Sequence, residues 1–333
     1  MTSIVVKRID HHGLVAGVID DLQIPEIIDS CLSLNGQENV TFGEAVKAMI
    51  MNGLGFTNRP ISLTPQFFEN LPLSDLFGHE VTPEDLNRHK LGRTLDALWE
   101  FGCEALFTQI AYNACHLEDI QCNFLSEDTS TFSVNGEYDQ ATDEQEILVT
   151  HGYSKDNRPD LKQVVHELMV AQDGGVPLMT KSWDGNTDDH QVFRERARNL
   201  VDNFQDADDL RVLIGDSKLY AKSNSANLVS IPFITRIPGT LNLEEQVTEQ
   251  ALQRPKNWAP LNGENSYQRF DLCHYGIEQR WLVIFSHERF QGVSKTVAKE
   301  RDKESEKIQR QLFHLQAKRF DSKEKGLEAL EKL

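Results

Sequence analysis

The sequence has no long hydrophobic run, no paired cysteines and no excess of basic charge. No apolar stretch approaches the roughly 18–20 residues that a membrane-spanning helix needs. The first 20 residues lack the charged start, apolar block and small-residue site of a secretory signal. The five cysteines are scattered, with no CxxC pair, so neither a disulfide framework nor a zinc site is predicted. These absences predict a cytoplasmic protein without membrane contact.

The charge balance is acidic, with 52 acidic against 34 basic residues and a net charge of −18. A protein that binds DNA usually has a basic face, because neutralised phosphates release counterions. Most of the net negative charge lies in residues 1–127, where 7 basic and 18 acidic residues give 7 − 18 = −11. Net charge averages over the whole surface. It therefore counts against generic phosphate binding, while a local basic strip stays compatible with it.

The spacing of apolar residues changes from helical to strand-like near residue 120. Before that point Thr41 and Thr82 are predicted to cap helices. After it, strands are predicted at 123–128, 146–151, 167–171, 176–181, 210–216 and 231–237, with a helix over 188–203. A meander of strands followed by helix, strand, helix and strand is the order of an RNase H-like α/β core.

The chain is long enough for two or three domains. We predict a mostly helical N-terminal domain over 1–120, which begins with a short strand at 3–8. An RNase H-like mixed sheet with flanking helices is predicted over 121–238. A small β-containing insertion follows over 239–292. Residues 293–333 form a charged helical segment with 11 basic and 8 acidic residues.

Two aspartates, Asp128 and Asp216, each follow an apolar run and precede small polar residues. Carboxylates on neighbouring strands repel each other unless a cation lies between them. Mg²⁺ prefers hard oxygen ligands and keeps several waters, which suits a site of two or three carboxylates. The alternative is that each aspartate only forms a turn or caps a helix, as strand-end aspartates more often do.

Four stretches resemble insertion-sequence transposases with a DDE catalytic domain, in the branch sometimes called insertion-sequence family four. They are residues 151–163 (HGYSKDNRPDLKQ), 185–189 (GNTDD), 215–220 (GDSKLY) and 128–131 (DTST). Segments 52–56 (NGLGF) and 91–96 (LGRTLD) also look like the domain that precedes the catalytic core in these proteins. The resemblance spans nearly the whole chain in the right order.

The resemblance implies that Asp128 and Asp216 are the first two catalytic acids and bind Mg²⁺ or Mn²⁺. It implies DNA as the partner, namely the terminal inverted repeats of the element and the target DNA, and a homodimer that holds two DNA ends. The third acid of such sites is a glutamate in a Y-x2-R-x3-E-x6-K pattern, which this sequence lacks. Since these transposases normally continue beyond the position of Leu333, a truncated reading frame or a fragment is expected.

Four basic residues are candidates for DNA phosphates: Lys155, Arg158, Lys162 and Lys218. The first three lie in the HGYSKDNRPDLKQ stretch, where they are alternatively solvated loop charges. Two functions stay open. One is a transposase that cleaves and joins DNA strands; the other is an inactive remnant that at most binds DNA or dimerises.

Overall fold

The structure, a computed structural model, describes residues 6–32, 38–55, 59–138, 147–188, 191, 192, 195, 211–229 and 231–331. The chain divides into two compact units, Met1–Arg236 and Ile237–Leu333. No helix in the described ranges combines the length and the apolar character that crossing a membrane would need.

Over its described residues, the first unit begins with α-helices that pack around an apolar core. Thr41 caps one of them by a capping box with Glu44, as the sequence predicts, and the buried residues Ala45, Ala48 and Met51 follow it at helical spacing. The predicted strand at 3–8 is wrong for residues 6–8, which are irregular; residues 1–5 lie outside the described ranges. The helices are α1 (His12–Asp21), α2 (Ile24–Cys31), α3 (Phe42–Gly53), α4 (Thr64–Phe68), α5 (Leu73–Phe77), α6 (Arg88–Phe101) and α7 (Cys103–Leu117).

The predicted helix start at Thr82 is only partly right. Thr82 forms a capping box with Asp85, but the turn that it begins is the 3-10 helix Pro83–Leu86. The chain then becomes extended at Asn87, whose side chain accepts hydrogen bonds from the backbone of His89 and Lys90 and caps α6. The long helix thus begins at Asn87, five residues after the start predicted at Thr82.

A five-stranded mixed sheet follows the helices. It consists of β1 (Phe124–Val134), β2 (Lys162–Ala171), β3 (Pro177–Trp183), β4 (Val212–Gly215) and β5 (Phe233–Thr235), in the spatial order β3-β2-β1-β4-β5. β1 and β3 pair antiparallel with β2, whereas β4 pairs parallel with β1 and β5. A meander on one side of β1 and parallel strands on the other confirm the predicted mixed α/β, RNase H-like class.

Three local predictions in this sheet need correction. β1 does not end at Asp128 but continues to Val134, because residues 129–134 pair with β2. The strand predicted at 146–151 is, over the described residues 147–151, a single bridge between Thr150 and Gln163. β2 begins five residues earlier than predicted, at Lys162. Of the helix predicted at 188–203, residues 189, 190, 193, 194 and 196–203 lie outside the described ranges, while 191, 192 and 195 are helical.

The second unit contains the helix Asn242–Leu252 and a three-stranded antiparallel sheet of β6 (Ala259–Asn262), β7 (Asn265–His274) and β8 (Ile277–Ser286). The helix His287–Gln316 follows β8 directly and contains no buried residue. A shorter helix, Lys323–Glu331, comes after it. Trp281 of β8, with 6% of its surface exposed, belongs to the small core of this unit.

Candidate functional site

The parallel pairing of β1 and β4 brings Asp128 and Asp216 to adjacent positions. Ser126 pairs with Ile214, so two further residues along each chain lead to Asp128 and Asp216. Neighbouring strands lie about 4.8 Å apart, and partners in register project to the same face of a sheet. The two carboxylates therefore start from neighbouring backbone positions, at the point where β4 ends and β1 continues.

Asp128 lies on the open face of β1. Its side chain is 82% exposed, whereas those of its neighbours Glu127 and Thr129 are buried on the other face. One carboxylate oxygen, Oδ1, accepts a hydrogen bond of 2.7 Å from the backbone N–H of Thr129. The strand thus holds the backbone of Asp128 in place and leaves its carboxylate accessible to solvent.

Asp216 directly follows β4 and is also exposed. Its Oδ1 accepts a 2.8 Å hydrogen bond from the backbone N–H of Lys218, which forms the turn after the strand. Its carbonyl oxygen accepts a 2.6 Å hydrogen bond from the Thr235 hydroxyl at the end of β5. The neighbouring strand thereby anchors the backbone of Asp216, a contact that no sequence motif indicated.

Lys155 reaches the same place from the loop that precedes β2. Its ammonium group donates to the carbonyl oxygen of Thr129 and, at 2.8 Å, to the Thr129 hydroxyl. The same nitrogen lies 4.0 Å from Oδ1 of Asp128. Lys155 therefore holds its positive charge next to one of the two predicted catalytic acids.

The other predicted phosphate-binding residues have different surroundings. Arg158 pairs with both carboxylate oxygens of Asp160, at 2.9 and 2.7 Å, and about half of each side chain is exposed. This contact raises the pKa of Arg158 and lowers that of Asp160. Lys162 donates to the backbone carbonyls of Glu137 and Tyr138 beyond the end of β1. Lys218 lies in the turn that caps Asp216.

A compact contact between two sequence motifs holds the loop that carries Lys155. Gln163 is 1% exposed, and its side-chain amide donates to the carbonyl oxygens of Gly185 at 2.8 Å and Tyr153 at 3.2 Å. A side chain on Gly152 would come within 2.0 Å of the Gly185 carbonyl oxygen. A side chain on Gly185 would come equally close to the carbonyl oxygen of Gln163. We call Gly152, Gln163 and Gly185 the glycine–glutamine clamp.

All three clamp residues lie in the stretches 151–163 and 185–189, from which no role could be predicted for them. The only indication in the sequence is that Gly152 and Gly185 are glycines in polar stretches, since glycine allows a close approach of two backbone segments. Nothing in the sequence indicates that the stretches 151–163 and 185–189 contact each other, since more than 20 residues separate them.

The opposite face of the same strands contains two buried carboxylates. Glu127 and Glu167 are 3% and 1% exposed. The indole N–H of Trp183 donates a 2.8 Å hydrogen bond to Glu167. Side chains alternate between the two faces of a strand, so Glu127 projects away from Asp128. These glutamates belong to the interior of the sheet and not to the exposed pair.

The donor set at Asp128 and Asp216 is compatible with a hard divalent cation. Both carboxylates are accessible, and the hydrogen bonds described for each use Oδ1. Mg²⁺ commonly binds through one or two carboxylates, several waters and the phosphates of its substrate. Within the described ranges no group of three histidine, cysteine or acidic residues is arranged to hold a metal. The pair therefore fits a cation that takes its remaining ligands from water and phosphate.

Comparison with known proteins gives a domain match and a likeness of fold. Residues 4–112 match the family model described as a domain of unknown function (DUF4277). No curated protein matches the sequence. A cryo-EM structure of the piggyBac transposase synaptic complex with hairpin DNA is similar over 80% of this chain and 58% of its own, with 12% identity and a TM-score of 0.33. The chain thus spans less than two thirds of that protein's length.

Two structures of the Mos1 transposase are also similar, each with 12% identity and a TM-score of 0.23. The paired-end complex with the left transposon end matches over 65% of this chain and 77% of its own. The Mos1 mariner paired-end complex with Mn matches over 69% and 84%. All three likenesses concern the fold.

Proposed function

We propose that this chain is the core of a DDE-type transposase that cleaves and joins DNA strands at the ends of an insertion sequence. The observation that supports it is the parallel pairing of β1 with β4, because Asp128 and Asp216 each lie two residues beyond the paired residues Ser126 and Ile214. Two exposed carboxylates on adjacent rigid supports are an arrangement that suits a divalent cation.

In this proposal Asp128 and Asp216 bind Mg²⁺ or Mn²⁺ through their exposed carboxylates. When bound, such a cation activates a water and stabilises the leaving oxygen of a phosphodiester. The backbone N–H groups of Thr129 and Lys218 orient the two carboxylates by hydrogen bonds to Oδ1. Thr235 holds the backbone of Asp216, and the pairing of β1 with β2 holds that of Asp128. Both acids therefore keep their geometry when the phosphate binds.

The proposed DNA contact is local. The net charge of −18 makes a generic attraction to DNA unfavourable. Lys155 and Lys218 lie next to the two acids, and Arg158 and Lys162 lie in the loop and strand that follow Lys155. Basic residues beside the acids, such as Lys155 and Lys218, position a phosphate without reading bases. Self-association into a dimer across two DNA ends stays a prediction.

The test uses the full chain, Mg²⁺ or Mn²⁺, and DNA duplexes that carry the ends of the element flanking its coding region. Asp128→Ala and Asp216→Ala should each reduce strand nicking by at least about 100-fold, because a lost metal ligand removes the charge stabilisation of the transition state. Asp96→Asn, an exposed acid on α6, is the matched control and should nick normally. Undiminished nicking by both alanine variants would remove these residues from the mechanism.

A non-catalytic DNA-binding protein is the second candidate. The absence of a third metal-binding side chain near the pair, within the described ranges, favours it. It predicts that the wild-type chain retards element-end DNA in a gel without nicking it, at any Mg²⁺ or Mn²⁺ concentration. Nicking by the wild-type chain that both aspartate variants lose would exclude this candidate.

A further inference from the structure

We infer that Lys155 is a built-in cation of the two-aspartate site and that a divalent metal ion must compete with it. The glycine–glutamine clamp positions the loop that carries Lys155. The inference rests on the proposed function, because it concerns the same two acids. It adds a regulatory role for Lys155 and a positioning role for Gln163 that the sequence motifs do not reveal.

The first argument is the location of the Lys155 ammonium group. Two oxygens of Thr129, the residue that follows Asp128 in β1, accept its hydrogen bonds, one of them at 2.8 Å. These contacts hold the positive charge 4.0 Å from Oδ1 of Asp128. Thr129 also donates its backbone N–H to that same Oδ1. A single residue of the strand therefore orients both the carboxylate and its cationic neighbour.

The second argument is the construction of the loop that carries Lys155. The clamp joins this loop to β2 and to the segment after β3 through the buried Gln163 amide. Next to it, the N–H of Gly185 donates at 2.9 Å to the carbonyl oxygen of Leu148, and the N–H of Leu148 donates at 2.7 Å to Asp184. Because these contacts already fix the loop backbone, holding Lys155 near Asp128 costs little additional conformational entropy.

The third argument is electrostatic. The ammonium group and a divalent cation would both neutralise the same exposed carboxylate, and they repel each other at close range. Lys155 therefore lowers the affinity for metal, while it offsets the negative charge of Asp128 before metal and DNA bind. Once bound, the phosphate supplies negative charge that compensates for both cations. Metal binding and DNA binding are thus expected to favour each other.

The experiment measures Mn²⁺ binding to the full chain by electron paramagnetic resonance of free Mn²⁺ at low salt, without DNA. Lys155→Met should bind Mn²⁺ roughly tenfold more tightly, the factor expected for removing a unit charge about 5–6 Å from a dication in surroundings close to bulk water. The gain should shrink at high salt, where exposed charges are screened. Lys7→Met, which removes the same charge from an exposed residue elsewhere, should leave the affinity unchanged.

Gln163→Leu tests the positioning role. It should tighten Mn²⁺ binding by a smaller factor than Lys155→Met, because Lys155 would then lie near Asp128 for only part of the time. In the Lys155→Met background it should add nothing, whereas damage to the fold would weaken binding in both backgrounds. Circular dichroism of each variant monitors folding, and Lys155→Met alone tests the charge argument if Gln163→Leu unfolds.

Separate outcomes decide the two proposals. If Asp128→Asn and Asp216→Asn lose the Mn²⁺ bound by the wild-type chain and Lys155→Met equals wild type or is weaker, the role of Lys155 is refuted and the metal site is retained. If Lys155→Met binds Mn²⁺ where wild type does not, the competition is supported. If neither the wild-type chain nor Lys155→Met binds Mn²⁺, the competition is refuted, and the nicking test decides the proposed function separately.

Discussion

At the scale of single residues, Gly185 has surroundings that leave no room for a side chain. A Cβ atom at this position would lie 2.0 Å from the carbonyl oxygen of Gln163 and 2.5 Å from that of Thr150. Both oxygens belong to backbone that is hydrogen-bonded in the bridge between these residues, so neither can move away cheaply. The GNTDD stretch thus begins with a glycine for a steric reason.

We predict that Gly185→Ala lowers the free energy of unfolding by about 2–3 kcal/mol, at the upper end of the range for overpacked sites, because the backbone must shift. Urea denaturation followed by circular dichroism measures the change. The matched control is Gly92→Ala in α6, where a Cβ atom would meet nothing within 4 Å. It should be neutral or slightly stabilising, since alanine favours helix. Equal stability of Gly185→Ala and wild type would contradict the close contact.

The sequence alone marks both aspartates of the candidate site, because an acidic residue that follows an apolar run is recognisable from neighbouring residues. It also marks Lys155, as one of four basic residues predicted to contact DNA phosphates. It did not predict the contact of Lys155 with Thr129 or the anchoring of Asp216 by Thr235. Such contacts join residues 19–26 positions apart, and no local periodicity reports them.

At the scale of elements, α6 is tied to the segment before α3 by a charged contact. Lys90 of α6 is 4% exposed and donates to Glu38, which also accepts a 3.1 Å hydrogen bond from Arg93. The ammonium group of Lys90 lies 4.6 Å from the centre of the Phe42 ring. A lysine buried in this way needs its carboxylate partner, because an unpaired buried charge is costly.

The hydrogen bond from Lys90 is the main reason that the pKa of Glu38 lies below its ordinary value of 4.5. A lowered folded-state pKa stabilises the fold above the unfolded value, and this stabilisation is lost as the pH falls through the folded-state pKa. We predict that Glu38→Gln costs about 2 kcal/mol at pH 7, less than the roughly 3–5 kcal/mol of a fully buried pair. Glu38 keeps 29% of its side chain exposed, which reduces the cost.

Urea denaturation of wild type and Glu38→Gln between pH 7 and pH 3 measures this prediction. The difference in stability should be constant above about pH 5 and should shrink as the wild-type carboxylate takes up its proton. Asp10→Asn, which removes an exposed partner 4.0 Å from Arg8, serves as control and should change stability by less than about 0.5 kcal/mol. A pH-independent difference for Glu38→Gln would refute the linkage.

At the scale of the whole molecule, each of the two compact units has buried residues of its own. In the unit Ile237–Leu333 these include Trp281 of β8, together with Val247 and Ala251 of the helix Asn242–Leu252. The indole N–H of Trp281 donates to Gln279 at 2.8 Å. This core is small, so one large side chain contributes much of its apolar area.

We predict that Trp281→Ala destabilises this unit by about 3–5 kcal/mol, the range for removing a large buried aromatic side chain. Hydrogen exchange measured by mass spectrometry should show faster exchange in β6, β7 and β8, and unchanged protection in β1 and β2. Leu282→Ala, the next residue of β8 with 49% of its surface exposed, is the control and should leave exchange nearly unchanged. Uniformly faster exchange across both units would contradict separate cores.

The sequence by itself determined the local features of this protein. The caps at Thr41 and Thr82 and the apolar strand that leads to Asp216 depend on a few neighbouring residues, and all of them are present. The mixed α/β class followed from the order of these elements. Local steric and hydrogen-bonding preferences are sufficient for such features.

Only the tertiary structure decided which residues meet. The continuation of β1 through Asp128 depends on its pairing with β2, and the position of Asp216 depends on its pairing with β1 and β5. The contact of Gly152 and Gln163 with Gly185 and the place of Lys155 beside Asp128 likewise join separate segments. Hydrogen bonds across strands and close backbone approaches depend on three-dimensional register, which the order of residues along one segment does not specify.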